Sequence, residues 1–189
     1  MKIAIIARGS LVWDPRTLRI EGDWINQGPE LKIEFSRVSK DGRLTLVIDP
    51  VHGEKVKTYY AQSSRSDLGD AVADLRDREG TVRKRIGFVD ILNCSNSKKE
   101  FSDQIDVFET VSKWCKQKEY DAAVWTALSS QFREQTNLDF SVENAINHLK
   151  RLPLSARENA LKYILKAPEE IVTPLRNKLK EVGYDLKRA

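Results

Sequence analysis

Glu79 is the residue whose type and position suggest chemistry most directly. It follows Leu68, Val72 and Leu75, whose spacing marks one face of a helix. Four residues further along that face stands a carboxylate where the pattern asks for an apolar side chain. Burial disfavours the charged form of a carboxyl, which suits a group that must exchange protons near neutral pH. Two plainer readings stand beside this one. The helix end frays and leaves Glu79 in solvent, or Glu79 pairs with Arg76, Arg83 or Lys84.

A second stretch of interest is "IIARGSLVWDP" near the start. An apolar run stops at Arg8, turns at Gly9-Ser10 and resumes through Leu11 to Trp13. This is either a turn between strands or a loop whose backbone N–H groups face a ligand. Trp13 reads as core.

The elements that must position these residues follow from periodicity. "KIAIIA" (2–7) is short, Ile-rich and continuously apolar, as expected of a strand covered on both faces. "LKIEFSRVS" (31–39) alternates, with Leu31, Ile33 and Phe35 on one face. Strict alternation puts Arg37 on that face too, so Arg37 is either a ligand-facing cation or the mark of a bulge. "KDG" (40–42) signals a hairpin turn leading to a return strand at 43–49, and 56–62 is a further strand. Residues 66–80 read as a helix capped by Ser66 or Asp67 and stopped at Gly80. A strand at 86–92, a loop at 94–100, a helix at 103–117 and a strand at 121–128 complete the α+β pattern.

After Ser129 the chain reads as helical. An S-x-x-E pair, Ser155 and Glu158, is a candidate capping box. Thr173-Pro174 is a helix start or kink, and Gly183 a stop. Three apolar stripes recur there: Val142, Ile146 and Leu149; Ala160, Ile164 and Ala167, widened by Leu161 and Leu165; and Leu175, Leu179 and Val182. Such faces need cover, either from the rest of the chain or from a second copy in a homodimer. The expected organisation is one domain over 1–128 and a helical extension over 129–189 packed on the same core.

Several functions lack the sequence features they need. There is no GxxxxGK[ST] loop and no GxGxxG. His52 and His148 lie in unrelated segments, and Cys94 and Cys115 form no CxxC pair, so no zinc site is expected. A Ser-His-Asp triad through His52 lacks a GxSxG elbow. No segment has the apolar length of a membrane span or the form of a signal peptide. With two scattered cysteines, the expected location is the cytoplasm. The 32 basic and 28 acidic residues leave a net charge of +4. Arg76, Arg78, Arg83, Lys84 and Arg85 cluster, but Asp74, Asp77 and Glu79 are interleaved and no stacking aromatics accompany them, which argues against nucleic acid.

Taken together, Gly9-Ser10-Leu11 with Val12-Trp13-Asp14-Pro15, then Phe35-Ser36-Arg37, then Leu75 through Glu79-Gly80 resemble the γ-glutamylcyclotransferase superfamily, nearest its ChaC-type branch. The resemblance spans roughly residues 2–128. It implies a mixed, partly barrel-like sheet with the helix bearing Glu79 packed on it. It also implies a cofactor-free, metal-free reaction on a small molecule with a γ-glutamyl group, releasing 5-oxoproline. In the family the glutamate matched by Glu79 is the catalytic acid/base. The loop then has a physical role: Gly9 lets backbone approach the substrate, and Ser10 and Leu11 aim N–H groups at a developing oxyanion. Arg8 and Arg37 join them as substrate-binding candidates.

The chain departs from the family pattern in three places. Arg8 stands where a tyrosine is usual, no aromatic follows Gly80, and the tail from Ser129 has no counterpart. Arg8 either clamps a substrate carboxylate or pairs with Glu79. The departures leave open a catalytically altered member of the fold that binds a small molecule or a protein.

Overall fold

The computed structural model describes residues 1–183; residues 184–189, part of the expected helical extension, lie outside the described residues. The first half of the chain runs β1 (Ile3–Ala7), α1 (Ser10–Trp13), β2 (Ile20–Ile25), β3 (Glu30–Val38), β4 (Leu44–Ile48), β5 (Glu54–Lys57), β6 (Tyr59–Ser63) and α2 (Leu68–Glu79). The second half runs β7 (Ile86–Asp90), β8 (Ser95–Asn96), α3 (Ile105–Lys118), β9 (Ala122–Thr126), α4 (Phe132–Thr136), α5 (Val142–Arg151), α6 (Leu154–Lys166) and α7 (Pro174–Glu181). The chain is α+β.

Two compact units share these elements. The first comprises Met1–Leu31 and Lys57–Leu128; the second comprises Lys32–Val56 and the chain from Ser129 onward. This division differs from a single cut after residue 128, because the hairpin segment 32–56 groups with the helical tail.

The first unit is built on a six-stranded sheet in the order β2-β6-β1-β9-β7-β8. It is open, with β2 and β8 as edges, so the barrel-like closure expected from the resemblance is absent. Strand β1 pairs antiparallel with β6 and parallel with β9, Ile5 facing Ala61 on one side and Val124 on the other. All five of its residues are buried, which explains a continuous apolar run rather than an alternating one. Ile3, Ile5 and Ala7 pack with Ala71, Val72 and Leu75 of α2. Trp125 of β9 meets Phe108 of α3 at 5.0 Å between ring centroids.

In the second unit a three-stranded sheet, β4-β3-β5, accompanies the tail helices. The hairpin turn is where Asp41-Gly42 predicts it: Gly42 has φ +83 and its N–H donates to the Ser39 carbonyl at 2.9 Å. Leu149, Ala160, Ile164, Ala167, Leu175 and Leu179 are buried as their stripes require, whereas Leu165 and Val182 are exposed. Thr173 caps α7, with Pro174 in its first turn. The Ser155–Glu158 capping box does not form: α6 starts at Leu154 behind Pro153, which puts Ser155 inside the first turn.

Strand β3 carries a bulge. Glu34 faces Val47 and Arg37 faces Thr45, so three steps along β3 match two along β4 and one residue is extra. Of the two readings of Arg37, the bulge is the one observed. Inserting a residue frees a backbone N–H from the ladder. Here the Phe35 N–H turns to the carboxylate of its own neighbour, donating to Glu34 Oε1 at 2.6 Å. The second oxygen of Glu34 accepts from the Leu175 N–H at 3.1 Å, in the first turn of α7. Glu34 is fully buried and so joins the bulge to the helix. Burial pushes its carboxyl above the ordinary value, more strongly than hydrogen bonds from Thr173, Phe35 and Leu175 pull it down.

Two consequences are testable by urea unfolding. Glu34→Ala strands two buried N–H donors and should cost about 2–5 kcal/mol, whereas Glu34→Gln keeps a carbonyl acceptor and should cost less. A raised carboxyl binds its proton more tightly when folded, so its contribution to stability is present below the ordinary glutamate value and is lost as pH rises through the raised one. The stability gap between wild type and Glu34→Gln should therefore shrink from about pH 4 to about pH 8; a gap that widens contradicts the assignment.

Candidate active site

Helix α2 begins at Asp67, whose side chain accepts from the Asp70 N–H at 3.0 Å. Its covered face comprises Ala71, Val72, Leu75 and Arg78. The helical stripe thus continues from Leu75 by three residues to Arg78 as well as by four to Glu79, the two spacings that share a helix face. The Arg78 side chain is 4% exposed and that of Glu79 17%.

The helix end is fixed rather than frayed. Gly80 adopts φ +57, ψ +42, and its N–H reaches the Asp77 carbonyl while the Thr81 N–H reaches the Arg76 carbonyl, each at 3.1 Å. That pair of bonds is the Schellman arrangement. It sets the direction of the last turn, and with it the position of Glu79.

The partner of Glu79 is its neighbour Arg78, not Arg76, Arg83 or Lys84. Arg78 Nη1 donates to Glu79 Oε1 at 2.8 Å. Adjacent helical residues point about 100° apart, so the long Arg78 side chain must fold back to make this contact. Its other terminal nitrogen, Nη2, donates to Ser10 Oγ at 3.3 Å and to the Asp14 carbonyl. One guanidinium therefore joins the end of α2 to both ends of the Ser10–Asp14 segment.

That segment is more ordered than a turn. Val12 N–H donates to the Gly9 carbonyl at 2.9 Å and Asp14 N–H to the Ser10 carbonyl at 2.8 Å, closing the single helical turn α1. Leu11 is buried and packs in the core with Leu75 and Ala7, so its side chain anchors the turn. Arg8, just past β1, is 4% exposed, and its Nη2 donates to the Thr126 carbonyl at 2.5 Å. Because β1 and β9 are parallel, their carboxyl ends lie side by side, and Arg8 ties them together.

The sequence candidates thus separate. Arg8, Gly9, Ser10, Leu11 and Glu79 belong to the first unit. Arg37 belongs to the second, where its Nη1 donates to the Ser129 carbonyl at 3.1 Å. By sequence Arg78 falls in the basic cluster at 76–85; the signal that sets it apart is its spacing of three from Leu75 and seven from Ala71. Its burial removes it from that cluster. Arg76 pairs with Asp77 at 2.7 Å, and Arg83 lies over the Phe88 ring at 5.3 Å.

His52 does have an aspartate, with Nδ1 3.3 Å from Asp49 Oδ2. Burial would raise Asp49, but the His52 N–H, Ser36, the His52 ring and the Val51 N–H prevail and hold it below its usual range. Since Asp49 Oδ1 accepts from the Val51 and His52 amides at 3.1 and 2.9 Å, its work is to shape the turn between β4 and β5. Among the described residues no group of three or more His, Cys, Asp or Glu side chains is placed to hold a metal, and no helix is long and apolar enough to cross a membrane.

No known family model, curated protein or solved structure matches this chain.

Replacing Gly80 tests the helix stop. An added Cβ meets nothing within 4 Å, so Gly80→Ala carries only the left-handed backbone cost of about 1–2 kcal/mol. Thermal unfolding should shift down by about 2–8 °C. An unchanged midpoint would show that α2 does not depend on this stop.

Proposed function

We propose that the protein is a γ-glutamylcyclotransferase-like enzyme with Glu79 as its general acid/base. The observation that carries the reading is the shared guanidinium: Arg78 bonds both Glu79 and Ser10, so the acid ending α2 and the Gly9-Ser10 motif belong to one cluster. The order of motifs in the sequence supports the same reading.

The reaction is intramolecular. Glu79 takes a proton from the α-ammonium of a γ-glutamyl group. The freed amine attacks the γ-carbonyl carbon, forming the lactam C–N bond through a tetrahedral oxyanion. The bond to the departing amine then breaks as Glu79 returns the proton to it, and the second proton that the attacking nitrogen loses as the lactam forms passes to the released amine, giving 5-oxoproline and the ammonium form of the amine. Protons balance and no redox partner enters. The rate gain comes from holding the substrate curled for attack and from donors aimed at the oxyanion; backbone N–H groups at Ser10 and Leu11 are the candidates. Arg8, an always-charged residue beside the β1 and β9 ends, suits a substrate carboxylate. Arg37, a substrate-binding candidate from the sequence, belongs to the second unit and is left out of this set. The compartment proposed is the cytoplasm. It suits two free thiols, Cys94 exposed and Cys115 buried, the latter pushed up to about 12 by burial.

A second reading has one observation in its favour. Both Glu79 and Arg8 already have protein partners, Arg78 and the Thr126 carbonyl, as suits an altered member of the fold that binds a small molecule or protein without turning it over. Release of 5-oxoproline separates the two.

On the enzymatic reading, γ-glutamyl-alanine or γ-glutamyl-methylamide yields 5-oxoproline, measured by chromatography. Glu79→Gln keeps the shape and hydrogen-bonding reach but removes proton exchange, and should lower kcat by about 10²–10⁴-fold with an unchanged circular dichroism spectrum. Undiminished turnover by that variant removes Glu79 from the mechanism. No release by wild type, with either probe binding, favours the second reading.

A further inference from the structure

We infer that Arg78 is a positioning residue that sets the working geometry of Glu79 against the Gly9-Ser10 turn, an inference that rests on the cyclotransferase reading. A guanidinium 4% exposed in its side chain must meet its donors' needs inside the protein. Three contacts through its two terminal nitrogens go toward this, its buried Nε–H having no hydrogen-bond partner among the described residues, and they are not scattered. One goes to Glu79 Oε1, one to Ser10 Oγ and one to the Asp14 carbonyl.

The two ends of this bridge lie far apart in sequence, and each is locally held. Ser10 sits at the start of the turn closed by the Val12 and Asp14 N–H groups. Glu79 sits just before the Schellman stop at Gly80. The guanidinium is a polar link between them, and its planar fork fixes direction as well as distance. It engages Oε1 of Glu79, leaving Oε2 to carry the proton. A carboxylate used as both base and acid must keep one oxygen aimed at the reacting nitrogen through two transfers. A charge-assisted bond to the other oxygen supplies that constraint.

Lysine is no substitute. Its ammonium is a point charge on a flexible stem and lacks the planar fork that addresses Glu79, Ser10 and Asp14 together. Arg78→Lys therefore keeps the charge and loses the geometry, which separates positioning from simple electrostatics.

The experiment has two arms. The first compares wild type, Arg78→Lys and Arg78→Ala in 5-oxoproline release from γ-glutamyl-alanine. Misplacing Glu79 should lower kcat by about 10–100-fold in both variants. KM should change far less, because the substrate's own contacts remain. Millimolar guanidinium should restore part of the lost kcat to Arg78→Ala and none to Glu79→Gln. Unchanged kcat in a folded Arg78→Lys variant overturns the inference, as does equal loss in kcat and affinity with no rescue.

The second arm needs no turnover. A water-soluble carbodiimide with an amine nucleophile labels accessible carboxyls, and peptide mass spectrometry reads the rate at Glu79. Arg78→Lys should label several-fold faster there than wild type, with Asp103 as an internal control that does not change. Equal Glu79 rates mean that Arg78 does not hold it, whatever the enzyme does. Faster labelling with no 5-oxoproline from wild type retains the bridge and rejects the cyclotransferase reading.

Discussion

Strand β1 is apolar on both faces, and the first unit is arranged to cover it. Its Ile3, Ile5 and Ala7 side meets α2, while both of its edges are occupied, by β6 and by β9. A strand with no solvent-facing side tolerates no register slip, because a shift of one residue would exchange its two packed faces. This constraint decides where the candidate site lies. The end of β1 is fixed, the Gly9-Ser10 turn springs directly from it, and parallel β9 brings Thr126 alongside for Arg8 to bind.

What the sequence disclosed followed the same logic. A buried strand without alternation, the Asp41-Gly42 hairpin, the Leu68-Val72-Leu75 helix and its stop at Gly80 each have one dominant local cause, and each was legible. Strand β2 was not. Most of its positions are exposed, Gly22 adopts φ +70, and its pairing with β6 shifts register between Glu21 and Ile25. It is a strand because a neighbour holds it. The single turn α1 is too short for any periodicity to mark.

Two buried charged residues, one in each unit, escaped local reading for an electrostatic reason. Arg78 and Glu34 are charged residues in contexts that read as surface, one within a basic cluster and the other on the polar side of an alternating strand. Each is buried with hydrogen bonds supplied by distant chain: Ser10 and Asp14 for the terminal nitrogens of Arg78, Leu175 for Glu34. Such partners cannot be read from local spacing. A buried charge is costly unless its donors or acceptors are matched, so these two residues mark where the fold relies on geometry rather than on apolar area.

The parallel pairing of β1 with β9 also imposes an order of events on synthesis. Strand β1 leaves the ribosome well before β9, and at about 5–20 residues per second the wait for the stretch between them lasts about 6–24 s. During that time β6 is available to one edge of β1, and α2 to one of its faces, but the other edge stays open. The nascent chain thus carries an unpaired, Ile-rich strand edge, the kind of surface that recruits other strands. The interval before β9 arrives is when this polypeptide is most exposed to aggregation and has most use for a chaperone.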